Sequence, residues 1–234
     1  MKIAMWSGPR NLSTALMYSF GNRPDFAASD EPFYAAYLAH AGVTHPMHSE
    51  VLADGEIDPV AVADFCTGPN PSGAKHWYQK HMAHHMLPGF PLDWSDGLTN
   101  IYLIRHPARV LASYQKKREN PTLVDIGFPQ LTALYERCPG PVVDSAQIRA
   151  NPEGTLRALC AEIGLSFDRD MLTWPAGGHA ADGVWARHWY GAVHRSTGFD
   201  GAEPGLPEVT QDFAATFEAA MEIYSALQQH ALKV

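Results

Sequence analysis

The chain has 234 residues, of which 46% are hydrophobic and 18% charged, and its formal net charge is −8. That acidic balance excludes the broad basic face of a non-specific nucleic-acid binder, and no apolar run approaches the roughly 18 residues of a membrane span, so neither nucleic acid nor membrane is expected as a partner. The three cysteines, Cys66, Cys138 and Cys160, are few, odd in number and far apart, which points to reduced thiols and a cytoplasmic setting rather than a disulfide framework.

In chain order, the apolar run 3–6 predicts a buried strand, too short for a signal peptide. Ser7-Gly8-Pro9 is a loop, and a helix begins near 11–14 with Asn11 or Ser13 as its cap. Residues 25–29 read as a second strand ending at Asp30-Glu31-Pro32. Helical patterns follow near 33–40 and 59–66. A third strand is expected over 75–79, with the chain turning through Lys80-His81 and a short helix before Pro88. NIYLI, 100–104, is the clearest strand: short, branched or aromatic, and nearly continuous. A helix is expected over 107–118 with Pro107 in its first turn, and another over 128–137. PVVD, 141–144, is a last strand. Asn151-Pro152 opens a helix to about 163 that Gly164 ends.

Strands alternating with helices imply an α/β fold: three layers, with a central, mainly parallel sheet flanked by helices. One domain over 1–234 is expected, with its core in 1–173. The remainder, 174–234, reads as a loop-rich aromatic lid plus a C-terminal helix over about 207–231. Ligands of such sheets sit beyond the carboxyl ends of the strands, and three of those ends carry suggestive residues, at 7–14, 80–85 and 105–113.

The first, Ser7-Gly8-Pro9-Arg10-Asn11-Leu12-Ser13-Thr14, follows a strand and opens a helix. A helix start offers unpaired N–H groups and the positive end of the peptide dipoles. Two hydroxyls and a guanidinium would complete a phosphate cradle. GxxxxGK[ST] is absent, and an ordinary capped helix is the alternative. In the second, Arg105 ends the NIYLI strand and Ser113 lies eight residues on, about two helical turns away. These could surround another phosphate; alternatively, Arg105 pairs with a carboxylate and Ser113 faces solvent.

Together, in this order and about 95 residues apart, the two segments resemble the sulfotransferases that use 3′-phosphoadenosine 5′-phosphosulfate (PAPS), a family with a P-loop-type fold. WSGPRNLSTAL is similar to the family's 5′-phosphosulfate loop, with Arg10 at the basic position and Ser13 and Thr14 at the hydroxyl positions. Asn11 and Leu12 stand where many members have Ser-Gly. YLIRHPARVLASYQK resembles the 3′-phosphate segment, with Arg105 and Ser113 matching its arginine and serine. PVVDSAQIRANPEGTLRALCAEIGLSF resembles the strand and Asn-Pro helix further on, so the likeness covers roughly 1–173. The resemblance implies PAPS as co-substrate and adenosine 3′,5′-bisphosphate (PAP) as product. It implies cofactor binding by Arg10, Asn11, Leu12, Ser13, Thr14, Arg105 and Ser113, and transfer of the sulfuryl group to a hydroxyl or amine of a small-molecule or glycan acceptor. The competing functions are a P-loop-type nucleotide or small-molecule kinase, against which the Walker lysine is missing, and a PAP-binding protein without catalysis. No lysine context supports pyridoxal-phosphate aminotransferase chemistry.

Sulfuryl transfer needs an in-line acceptor, charge stabilisation at the leaving phosphate and a base. Glu31 is the first candidate base: AASDEPFY resembles the second strand end of glycan-type members, with Asp30 in place of a common lysine. His81 is the second candidate. Lys80 matches the lysine of the Lys-x-His found in cytosolic members, but Met82 stands at their histidine. Lys80 would stabilise the leaving group; the alternative is a solvated strand-end lysine. His81 and His85 are one helical turn apart, yet no third ligand is visible, so no metal is expected. In the tail, Arg187 or Arg195 would serve the 3′-phosphate by a loose match, and Trp185 and Tyr190 would stack on a ligand or simply pack.

Overall fold

The computed structural model describes residues 1–115 and 120–234. In chain order, β1 (Lys2–Ser7) is followed by α1 (Ser13–Gly21), β2 (Phe26–Asp30), α2 (Tyr34–Ala41), α3 (His48–Asp54) and α4 (Pro59–Thr67). Then come β3 (His76–Met82), β4 (Thr99–Ile104), α5 (Pro107–Tyr114), α6 (Phe128–Arg137) and β5 (Val142–Asp144). The chain ends through α7 (Ser145–Ala150), α8 (Pro152–Glu162), α9 (Ala186–Trp189) and α10 (Ala214–Gln228). Among the described residues five strands form one parallel sheet in the order β2-β3-β1-β4-β5.

The side-chain alternation of β1 and β4 makes the three layers. Ala4, Trp6, Tyr102 and Ile104 face one side, against Val110 and Leu111 of α5, Leu131 and Leu134 of α6, and Tyr224 and Leu227 of α10. Ile3, Met5, Ile101 and Leu103 face the other, against Leu16 and Phe20 of α1 and Leu156 and Leu159 of α8. The central strand β1 is thus buried on both faces, as its continuous apolar run requires. The Trp6 indole N–H is satisfied by Asn100 Oδ1 at 2.8 Å, so the polar end of a core tryptophan does not go unpaired. α10 is fixed to the sheet edge where the Tyr224 hydroxyl donates to Asp144 Oδ2 at 2.6 Å.

Several boundaries differ from the sequence expectation. β3 does not turn at Lys80-His81; it continues in register with β1, pairing Trp6 with His81 and Ser7 with Met82, and the turn comes at Ala83–His85. α3 has no counterpart in the reading. Neither has α7, which Asp144 starts by accepting from the Ala146 N–H at 2.9 Å. Asn151 then caps α8 through the Gly154 N–H at 3.0 Å. The last helix begins at Ala214, after a 3₁₀ turn at Gln211–Phe213. The helix expected over 107–118 is seen as Pro107–Tyr114, and its continuation through 116–118 lies outside the described residues. No helix among the described residues is long and apolar enough to cross a membrane.

Candidate active site at the carboxyl ends of the strands

A cavity of about 480 Å³ opens where β1, β2, β3 and β4 end. Arg10, Asn11, Leu12, Ser13, Thr14, Arg105 and Ser113 line it, as do Glu31 and Lys80, and among the expected catalytic residues the exception is His81. Strand alternation explains the exception: Lys80 and Met82 face the cavity, so His81 between them faces the opposite layer. There His81 packs against Trp6 (4.7 Å between ring centres), Trp94 (5.1 Å) and Phe33 (6.0 Å), with Nε2 at 3.2 Å from Gln79 Oε1. Burial drives its pKa down to about 3. A neutral ring in an aromatic core has no route to a substrate proton, and His81 drops out as a base.

The first wall of the cavity is the loop from β1 into α1. Arg10 and Leu12 both have left-handed backbone, with φ of 65° and 74°. For residues with a Cβ this costs about 1–2 kcal/mol each, so surrounding contacts must impose it. One such contact is Gly8, where a Cβ would come within 2.3 Å of the Ile126 carbonyl oxygen. The expected cap from Asn11 or Ser13 is not made. Leu12 is the N-cap residue, and no side chain among the described residues caps α1. Asn11 instead donates through Nδ2 to the Leu103 carbonyl oxygen at 3.2 Å. The positive end of α1 therefore faces a cavity wall that also carries Ser13 and Thr14.

The second wall is the end of β4. Arg105 donates to the Arg10 carbonyl oxygen at 2.6 Å, and Arg10 Nε donates to Ser113 Oγ at 3.0 Å. Each motif thus holds the other. Burial, and then the neighbouring Arg105, lower the pKa of Arg10. Arg149, from α7, lines the same wall. Its carboxylate neighbour, Glu203, is also ion-paired with Arg105 and, at 3.2 Å, with Arg109.

The third wall joins β2 and β3. Lys80 Nζ donates to Asp30 Oδ1 at 2.7 Å, Glu31 Oε1 at 2.7 Å and the Tyr190 hydroxyl at 2.5 Å. The Lys80 side chain is 1% exposed and that of Glu31 10%. The Tyr190 hydroxyl also accepts from Trp185 Nε1 at 3.0 Å and gives its own proton to Asp30 Oδ2 at 2.8 Å. Burial alone would lower the pKa of Lys80, but the Asp30 and Glu31 carboxylates hold it above the ordinary lysine value. Burial raises the Glu31 carboxyl, Lys80 pulls it back, and Asp30 pushes it up again, leaving it above the usual carboxylate range. Glu31 has φ 42°, and its N–H is held by the Lys80 carbonyl oxygen at 2.9 Å.

A family model described as a sulfotransferase domain matches residues 1–231. The chain belongs to the sulfotransferase family. Two curated Arabidopsis thaliana proteins, branched-chain-amino-acid aminotransferase-like proteins 1 and 2, are 36% and 34% identical to this sulfotransferase-family chain over 97% of its length. The alignments take in 42% and 41% of those proteins, so the chain spans about two fifths of the relatives' length. Among solved structures, the sulfotransferase domain of the curacin biosynthetic pathway has TM-score 0.60 at 16% identity, covering 99% of this chain and 98% of that one. The sulfotransferase domain of the Synechococcus PCC 7002 olefin synthase has TM-score 0.62 at 16% identity, covering 97% and 94%. A sulfotransferase from Alicyclobacillus acidocaldarius has 0.58 at 12%, covering 98% and 96%. At these identities the structures show the shared fold.

Arg149 and Glu203 are absent from the sequence expectation, whereas Tyr190 and His85 enter it in other roles, as a stacking or packing ring and as a histidine one helical turn from His81. Tyr190 falls in a segment without periodicity, and only the folded tail brings it to Lys80. His85 is buried. It lies between Tyr34 and Tyr37, 4.7 Å from each ring centre, with Nε2 3.9 Å from Glu31 Oε2. Burial, then neighbouring His84, keeps it neutral. Arg149 carries a faint signal: like Arg105 and Arg109, it follows a strand end within a turn or two. Glu203 carries none. Arg187 pairs on the surface with Glu50 at 3.0 Å, and neither it nor Arg195 lines the cavity. Among the described residues no group of three His, Cys, Asp or Glu is placed to hold a metal ion.

Proposed function

We propose that the chain, read as one domain over 1–234, is a PAPS-dependent sulfotransferase acting on a hydroxyl or amine of a small-molecule or glycan acceptor. The observation that carries this is the bond from Arg105 to the Arg10 carbonyl, which sets the two phosphate-type motifs side by side on one cavity. Arg10, Ser13, Thr14 and the start of α1, with the backbone of Asn11 and Leu12, would hold the 5′ end of the nucleotide. Arg105 and Ser113 would hold the 3′-phosphate. The uncapped α1 and the surplus of guanidinium groups suit a dianionic ligand at each end.

PAPS supplies an activated sulfuryl group whose bond to the 5′-phosphate oxygen breaks as a new bond forms to the acceptor oxygen or nitrogen. Glu31, unprotonated, takes the proton that the acceptor sheds. Its raised pKa brings it toward neutrality, where a general base is effective. Lys80, kept charged by two carboxylates, stabilises the negative charge that collects on the departing phosphate. Tyr190 and Asp30 hold the Lys80 ammonium in one place, so little reorganisation is needed during transfer. Buried thiols at Cys66 and Cys160 suit a cytoplasmic setting.

Calorimetric titration with PAP and with ATP tests the reading. PAP binding with weak or no ATP binding supports it; tight ATP binding without PAP binding overturns it in favour of a kinase. PAP binding with no sulfation of any acceptor, and no effect of Glu31→Gln on turnover, would leave a nucleotide-binding protein without catalysis.

A further inference from the structure

Residues 200–206 lie against the arginines of the second wall without helix or strand, and all of them but Glu203 are exposed. The Glu203 side chain is only 6% exposed. A carboxylate is thus the most buried group of a loop that has no apolar anchor, an inversion of how loops are ordinarily held. Its partners are three guanidiniums from two strand ends. Arg105 bonds Glu203 Oε1, Arg109 Nε lies 3.2 Å from Oε2, and Arg149 NH1 lies 4.0 Å from Oε1. The same arginines hold the loop backbone: Arg109 donates to the Pro204 carbonyl oxygen, and Arg149 Nε donates to that of Gly201 at 3.1 Å. Exposed Asp200 adds a second carboxylate 3.7 Å from Arg149.

The carboxylate and the guanidiniums are imperfectly matched. Two oxygens face three fork-shaped cations, and among the described residues the buried Arg105 Nε–H and the buried Glu203 Oε2 both lack a hydrogen-bond partner. Phosphate offers three terminal oxygens and up to two charges, a closer match to three guanidiniums. Arg105 is also the residue assigned above to the 3′-phosphate.

We propose that Glu203 is a tethered substitute for the nucleotide's 3′-phosphate, and that 200–205 form a strap which this phosphate displaces from Arg105, Arg109 and Arg149. The inference rests on the reading of the cavity as a PAP site. It adds Arg109 and Arg149 to the 3′-phosphate ligands, and it makes strap release part of the binding equilibrium. Observed affinity is then reduced by the fraction of molecules with the strap in place. Only a ligand bearing a 3′-phosphate meets this competition, because adenosine 5′-phosphosulfate has nothing to set against Glu203.

The test is calorimetry at fixed ionic strength on the whole chain and on Glu203→Gln, with PAP and adenosine 5′-phosphosulfate as probes. Removing one charged competitor raises PAP affinity about tenfold and leaves adenosine 5′-phosphosulfate within about twofold. Hydrogen exchange over 200–206 gives a second readout that does not depend on the variant. PAP added to the unmodified protein speeds exchange there, although ligands usually slow it. Arg149→Ala weakens PAP. If the unmodified protein and Glu203→Gln bind PAP equally, or if exchange over the strap slows, the strap proposal falls and the nucleotide reading stands. If PAP binds neither protein, both fall.

Discussion

The Arg105 guanidinium reaches across from the end of β4 to the Arg10 carbonyl oxygen, 2.6 Å away, at the end of β1. The two strands are neighbours in the sheet, so residues 95 positions apart in sequence share one hydrogen bond and one cavity wall. Arg10 in turn reaches Ser113, closing a ring of contacts between the segments that resemble 5′- and 3′-phosphate sites.

Arg105→Ala is expected to weaken PAP by about 2–5 kcal/mol, the range for truncating one partner of a desolvated charge pair. Adenosine 5′-phosphosulfate, which lacks the 3′-phosphate, should lose much less. The comparison matters because Arg105 also supports the Arg10 loop, and damage to that loop would weaken both ligands alike. Equal losses in calorimetry would remove Arg105 from the 3′-phosphate site.

Glu31→Gln keeps the size and one acceptor oxygen of Glu31 but cannot take a proton. Turnover is expected to fall about 10²- to 10⁴-fold while PAP affinity stays nearly unchanged. The pH profile gives an independent check. The base works only when unprotonated, so kcat/KM should rise with pH through the Glu31 pKa, which burial and Asp30 place above its ordinary value of 4.5. Asp30→Asn removes a like charge and should move that rising limb to lower pH. A limb that stays in place would mean that another group is the base.

Much of the sheet is legible because 3–6 and 100–104 are buried on both faces and read as unbroken apolar runs. The two segments that resemble phosphate sites stand out by their positions at the ends of those strands. His81 lies in the core, against expectation, for a definite reason. With β3 ended at Gln79, the next residues look like a free turn in which any histidine could face a ligand. Once the strand continues to Met82, the period of two sends Lys80 and Met82 to the cavity and His81 to the core. The contacts of Tyr190 with Lys80 and of Glu203 with Arg105 are not legible in the sequence, because neither residue belongs to a periodic element and each contact spans more than 90 residues. Leu12 shows the converse: its departure from Ser-Gly was visible, but only the fold shows that it adopts the left-handed backbone that glycine would take without strain.

His81 makes a prediction about stability. It is 2% exposed, and burial holds its folded pKa near 3, against 6.5 when exposed. Between those values the unfolded chain takes up a proton that the folded chain refuses. Stability conferred by the neutral ring is therefore fully present above pH 6.5 and is lost as pH falls toward 3, at about 1.4 kcal/mol per pH unit for one histidine. His85, also held neutral by burial, adds in the same direction. Denaturant unfolding at pH 6.5 and pH 5 should show the loss, and His81→Gln, which cannot titrate, should show about 2 kcal/mol less of it, whatever its stability at neutral pH. Identical pH slopes for the two proteins would mean that His81 is solvated or charged in the folded state, and the aromatic packing around it would have to be redrawn.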